Sequence, residues 1–300
     1  MPTTLIPSLS PNPLTDLQAL FTFPFMVHAL EAGTITAVLG AITGWYVAVR
    51  RQAFAAHTLS VMAFPGAAGA ALIGLPLSIG YYIACGLAAV GLGVTGTRTR
   101  RSAGAESAAI GTVQTAGLAA GYLFLALNQS ILGGPETLLF GTFLGVTQGQ
   151  VVGLLAVAAV SATVLAAIAR PLLLSSIDRE LATARGLPVD LLDVVFILIL
   201  ALTVAAVSEL TGALLVLSVV IAPAAAAQQL TTRPAMSLAL SVAFALAIVW
   251  LALAFAYYSI YPVGFYVSSF AFILYAAARA ARATKARAVR VRARSAQAHA

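Results

Sequence analysis

Residues 175–230 read SSIDRELATARGLPVDLLDVVFILILALTVAAVSELTGALLVLSVVIAPAAAAQQL. After a polar opening the stretch becomes two nearly uncharged runs, 190–208 and 211–230. A helix needs roughly 20 mostly apolar residues to cross a hydrocarbon core about 30 Å thick, and each run meets that length. Runs of the same kind recur at 26–48, 55–75, 78–96, 107–127, 150–169, 236–256 and 262–279. The expected fold is therefore an all-α polytopic membrane protein of about nine spans (eight to ten), some broken by Pro or Gly. Segment 137–149 is too short to cross and reads as a surface helix or a re-entrant turn.

Composition agrees and narrows the choice of function. The 300 residues are 61% hydrophobic and 8% charged, with a mean hydropathy of +1.00. Soluble domains carry about 25% charged residues and about 45–50% apolar ones. One cysteine, Cys85, excludes a disulfide scaffold and a Cys-cluster metal centre. Three His and nine Asp or Glu leave no set for a catalytic metal site of the soluble kind. No Ser-His-Asp, His-Glu-x-x-His or paired-carboxylate constellation occurs, which argues against a membrane enzyme. The Gly-rich stretches lack the Lys of a phosphate-binding P-loop, so the chain has no such ATP site of its own.

Orientation follows from the basic residues. Lys and Arg occur at 50–51, 98–101, 170–185 and 233, with seven more from Arg279 to Arg294. Threaded through nine spans, every cluster falls on one side, and the opposite loops carry none. The positive-inside rule then places the N-terminus outside and the C-terminus in the cytoplasm of a bacterial-type inner membrane. Residues 1–25 form an extracytoplasmic segment without the basic start of a cleaved signal peptide. Residues 280–300 form a basic cytoplasmic tail suited to anionic lipid, at about 1 kcal/mol per basic residue, rather than to nucleic acid.

The spans carry few features that chemistry could use. Pro65-Gly66 and Pro223 interrupt two of them, and broken helices often line transporter sites. Ionisable groups within spans are costly and functional by default. The candidates are His57 in the second span, Glu209 between two spans, and the i, i+3 pair His28 and Glu31 in the first. Glu106 opens the fourth span and suits a helix N-terminus. The connector 176–187 reads as a short amphipathic helix with Ile177, Leu181 and Ala184 on one face. Ser175 or Ser176 would cap it, Asp178 and Glu180 suit its start, and Gly186 with Pro188 end it. Such a helix is a docking element for a partner.

These residues resemble the membrane permeases of ABC transporters that import zinc, manganese or iron. The family's Asp-x-Glu-x-Ala-x-x-x-Gly is matched by Asp178, Glu180, Ala182 and Gly186. Its Gly-x-Leu-Leu and Pro-Ala-x-x-Ala are matched by Gly212, Leu214, Leu215, Pro223, Ala224 and Ala227. Residues 47–70, VAVRRQAFAAHTLSVMAFPGAAGA, resemble its segment around the second span.

The resemblance implies that 176–187, from Ile177 to Gly186, is a coupling helix for a separate ATPase subunit. It further implies an extracytoplasmic metal-binding protein and a second permease copy, with ATP used only through the ATPase. The metal is substrate, and no cofactor is covalently held. The family's Asp-x-Leu-Ser-His reads His57-Thr58-Leu59-Ser60-Val61 here, so its ligand pair becomes His57 and Val61. The transport path is then expected to use His57, Ser60, Glu209, His28 and Glu31. An imidazole slightly favours zinc over manganese or iron. Two alternatives remain open: an ABC permease for an iron chelate or cobalamin-like compound, and a secondary transporter driven by an ion gradient. The second would want intramembrane acids, and after Glu31 the spans hold few.

Overall fold

A computed structural model describes residues 21–98, 103–128, 134–141, 143, 145–259 and 261–297. Residues 1–20, most of the expected outer segment, and Arg100, Arg101 and His299 lie outside the described residues. Among the described residues there are twelve helices and no strand. In chain order they are α1 (Pro24–Val49), α2 (Ala53–Leu72), α3 (Leu77–Arg98), α4 (Ala103–Leu127), α5 (Gly134–Phe140) and α6 (Gln148–Ile177). There follow α7 (Arg179–Ala184), α8 (Val189–Thr211), α9 (Val216–Val220), α10 (Ala222–Leu230), α11 (Pro234–Tyr257) and α12 (Val263–Gln297). Seven helices are long and apolar enough to cross a membrane, and two shorter apolar stretches, Leu77–Gly93 and Val216–Leu230, occupy the remaining expected spans.

The bundle is organised around α8. Between the acids at its ends this helix is almost wholly apolar, and it packs on α1, α2, α3 and α6, as a helix hydrophobic all round must to be covered. On one flank α3 and α4 pack against α2, and on the other α10, α11 and α12 pack together. Helices α4 and α6 leave most of their surface outward, which suits lipid contact.

In lipid, apolar surface does not by itself drive helices together, so close backbones and interhelical hydrogen bonds decide the pairing. Both are present. Thr43 and Thr203 share a buried 3.1 Å hydrogen bond between α1 and α8. The Trp45 indole N–H donates to Ser237 Oγ (3.1 Å) and that of Trp250 to Thr34 Oγ1 (2.9 Å), joining α1 to α11. Ser237→Ala keeps the packing but leaves the indole of buried Trp45 unpaired. The expected loss is about 1 kcal/mol, read as a lower thermal midpoint of the purified protein in detergent; an unchanged midpoint would refute the bond's contribution.

Three expectations need correction. Pro65 does not break its span: α2 runs unbroken from Ala53 to Leu72. The missing proline N–H removes one bond, and the contact with α3 holds the helix. A methyl on Gly66 would strike Ala84 and the Gly80 carbonyl, and one on Gly80 would strike the Gly66 carbonyl. The pair is a point of close helix approach. Pro223, by contrast, lies in the first turn of α10 just after an interruption at Ile221, where its absent N–H has no partner to lose.

The second correction concerns 176–187. Helix α6 continues through Pro171 to Ile177, for 30 residues or about 45 Å. Ser175 and Ser176 close that helix and do not open the next, because both hydroxyls donate back to the Leu172 carbonyl. Asp178 is the hinge and the cap: its backbone is extended, and its carboxylate accepts the Leu181 N–H at 2.9 Å. Gly186, at φ +74°, ends the six-residue α7.

The third concerns Glu209, expected between two spans: it lies within α8, which runs to Thr211. Gly40 of α1 has Val207 of α8 and Val219 and Val220 of α9 as neighbours. From that level α1 continues to Pro24, about 24 Å further. The α8–α9 junction thus lies inside the bundle, and Thr211 and Ala213 are buried. The basic tail extends α12 in one helix to Gln297, and Arg282 donates to Gln229 Oε1 (2.8 Å).

Candidate functional site

The interrupted span after α8 is held by glycine. Gly212 (φ +71°) and Gly141 (φ +74°) lie against each other's backbones, so that a Cβ on either would overlap main-chain atoms. This contact lets α5 dock edge-on: Ala213 N–H donates to Leu138 O and Leu214 N–H to Leu139 O, both at 3.1 Å. Segment 137–149 thus holds the end of α5, Gly141 set against the junction, and the opening residues of α6. From α2, buried Ser60 donates to the Ala213 carbonyl. That hydroxyl is committed to holding the junction.

Glu209 stands half-buried two residues before this junction. Its carboxylate accepts a hydrogen bond from Gln150 Nε2 at 3.1 Å. Gln150 is positioned because α6 opens with a reciprocal capping box, in which Thr147 Oγ1 accepts Gln150 N–H and Gln150 Oε1 accepts Thr147 N–H. From α3, Tyr81 and Tyr82 lie within electrostatic reach of Glu209, and Cys85 is close to both tyrosines. The Cys85 thiol donates to the Leu59 carbonyl at 3.5 Å. The result is one carboxylate held by an amide N–H from α6, with two phenols of α3 in its electrostatic surroundings. Among the described residues no group of three or more His, Cys, Asp or Glu could hold a metal ion. A lone carboxylate binds a cation loosely enough to release it, which a path requires.

The other expected path residues lie apart. His57 is exposed near the start of α2, while Val61, one turn on, is buried and offers no donor. His28 is partly buried on α1. Glu31 is exposed in a groove with Thr34, Gln148 and Trp250 between α1, α6 and α11. His57 and Glu209 are not brought together, nor do His28 and Glu31 share a site with either.

Sequence reading missed a second constellation, at the end of the bundle where the arginines gather. Arg50, with 7% of its side chain exposed, pairs with Asp193 Oδ1 on α8 and stacks over Phe196, 5.1 Å from guanidinium carbon to ring centre. It also donates to Ser176 Oγ (3.2 Å) and Ser175 Oγ (3.5 Å) at the end of α6. Arg179, the first residue of α7, donates to Asp193 Oδ2 (2.6 Å) and Asp190 Oδ1 (2.7 Å). The end of α1, the start of α7 and α8 meet at one carboxylate, and α6 joins them through Arg50. The signal was present as an acid inside an apolar run, since Asp193 falls within 190–208. Beside this cluster Ile177, the last residue of α6, is 74% exposed, and on α7 Glu180 and Leu181 also face outward while Ala182 is buried.

The chain matches the ABC 3 transport family over residues 22–281. It is similar to the manganese transport system membrane protein MntC of Halalkalibacterium halodurans, 28% identical over 225 residues, 75% of this chain and 76% of that one. It is also similar to the chelated iron transport system membrane protein YfeC of Yersinia pestis, 31% identical over 214 residues, 71% of each chain. In fold it is similar to a chain of PsaBC from Streptococcus pneumoniae, solved in complex with Fab, with a TM-score of 0.78 at 22% identity. That likeness covers 89% of this chain and 95% of that one.

Proposed function

The chain belongs to the ABC 3 transport family, and from that premise we propose that it is the permease of an ATP-driven importer of divalent manganese, iron or zinc. The observation that carries this reading is Glu209, a carboxylate held by Gln150 inside the bundle at an interrupted span. A buried acid is costly in a membrane protein and marks an ion path. A carboxylate suits a hard cation such as manganese, and the exposed imidazole of His57 keeps iron and zinc in the set. Two relatives are named for manganese and for chelated iron transport.

In this reading the arginine-rich end faces the cytoplasm and the N-terminus lies outside. A separate ATPase docks on α7 and the adjoining end of α6 through Leu181 and Ile177, and an outer binding protein delivers the metal. Two permease copies serve two ATPase subunits. The ion passes Glu209 and leaves near His57. No step on this chain is covalent, and it acts as a transport subunit rather than as an enzyme.

The test is cellular manganese, iron and zinc by elemental mass spectrometry, in a host lacking its own importers and expressing the chain with its ATPase and binding protein. One metal is expected to rise. Glu209→Gln should cut that rise about tenfold, the scale of a lost charge interaction, with the complex still assembled, and His57→Ala should cut it less. No rise in any metal with the wild type would overturn the reading and turn attention to chelates, as the name of the Yersinia relative suggests.

A further inference from the structure

We propose that Asp193 is a mechanical joint through which α7 moves α8 and the α1–α2 turn together, with Arg179 as its positioning residue. The inference rests on the permease reading above, in which α7 receives the push of the ATPase. One oxygen of Asp193 is taken by Arg50 and the other by Arg179. Arg179 begins α7 and also holds Asp190, so α7 grips the first turns of α8 at two carboxylates. Arg50 ends α1 and grips the last turn of α6 through Ser175 and Ser176. The next residue, Arg51, turns the chain at φ +57° into α2, which carries His57 and Ser60.

Displacing α7 must therefore either break two charge-assisted bonds or carry α8 with it. Helix α8 is continuous and free of proline from Val189 to Thr211. Asp193 lies near one end and Glu209 near the other, about 24 Å apart. A shift delivered at the joint thus arrives at the carboxylate of the path, and through Arg50 at the foot of α2. The cluster keeps unused polar capacity for such motion: Arg50 Nε and Gln52 Oε1 are buried without a protein partner among the described residues.

Arg179 is the residue to test, because it is one-third exposed and its removal leaves the buried Arg50–Asp193 pair in place. The wild type, Arg179→Gln, Arg179→Lys and Arg233→Gln would be assembled with the ATPase and binding protein in liposomes. ATP hydrolysed and metal delivered are measured together. Arg233 is exposed, lies between α10 and α11 away from the docking segment, and serves as the control.

Arg179→Gln is expected to keep ATP hydrolysis and assembly while metal moved per ATP falls about tenfold, as for the loss of charge-assisted bonds. Arg179→Lys should recover part of the loss, since an ammonium can hold one carboxylate but not form the guanidinium fork. Unchanged metal per ATP in Arg179→Gln, or an equal fall in Arg233→Gln, overturns the proposal.

A second readout does not require transport. Spin labels at Thr183 on α7 and Phe54 on α2 should keep their separation on nucleotide binding in the wild-type complex and lose it in Arg179→Gln. The same response in both complexes also overturns the joint. Wild-type complexes that hydrolyse ATP without moving metal would instead overturn the transport reading, and the labels would still judge the joint.

Discussion

Alanine at Gly212 is expected to remove folded protein from the membrane. Gly212 has φ +71° and ψ 165°, a region essentially reserved for glycine, where another residue costs about 1–3 kcal/mol. A methyl group there would also overlap the Leu139 carbonyl and the Gly141 nitrogen. Both obstacles are main chain, so neither can rotate aside. Relief requires α5 to lift, which sacrifices the Leu138–Ala213 and Leu139–Leu214 hydrogen bonds, each worth about 0.5–1.5 kcal/mol. These losses come to about 2–6 kcal/mol, comparable to the lower end of the total stability of an ordinary domain, about 5–15 kcal/mol. Gly74 provides the comparison: it has φ +75°, yet nothing lies within 4 Å of its added Cβ. Gly74→Ala should therefore accumulate close to wild-type levels. Membrane levels of tagged variants give the answer, and equal levels of Gly212→Ala and wild type would refute the close packing of α5.

The second large effect is expected at Asp193. Asp193→Ala leaves the Arg50 guanidinium buried, 7% exposed, with only hydroxyls and the Phe196 ring around it. Breaking one side of a buried pair costs about 3–5 kcal/mol, because the remaining charge is uncompensated. Replacing both partners by apolar groups of similar volume is often neutral or stabilising. Arg50→Met with Asp193→Leu should thus recover the folded yield that Asp193→Ala loses. Metal delivery should not return with it, since the double variant severs α7 from α1. Folded yield and thermal midpoint in detergent, followed by transport of the rescued variant, separate stability from transmission. A double variant no more stable than Asp193→Ala would show that the pair is not what holds this end.

The spans were legible because bilayer thickness sets one length that each must meet, and that length is local in sequence. Their ends were not. Arg170 and Pro171 look like a terminus, yet α6 passes through them to Ile177, because Ser175 and Ser176 find their acceptors at Leu172 and their donor in Arg50. The two prolines look alike in sequence. They differ only in neighbours, since Pro65 adjoins the Gly66–Gly80 crossing and Pro223 follows an interruption stabilised from outside the segment. Glu209 stands out in the sequence as an unusual acid, but its depth depends on how far α1 outruns α8, a tertiary fact. The Arg50–Asp193 pair, 143 positions apart in the chain, leaves no periodic trace. Its arginine was read only for topology.

Cys85 has a practical consequence. It is the single thiol of the chain, fully buried and engaged with the Leu59 carbonyl. Buried structural thiols of this kind are inert, so the natural sequence is already a blank background for maleimide chemistry. One cysteine placed at exposed Thr183, or at Tyr261 on the opposite end, becomes the sole reactive group. With a reagent that does not cross membranes, labelling of intact cells reads directly which end of the bundle meets the outside, without engineering a cysteine-free parent and disturbing the contact between α2 and α3.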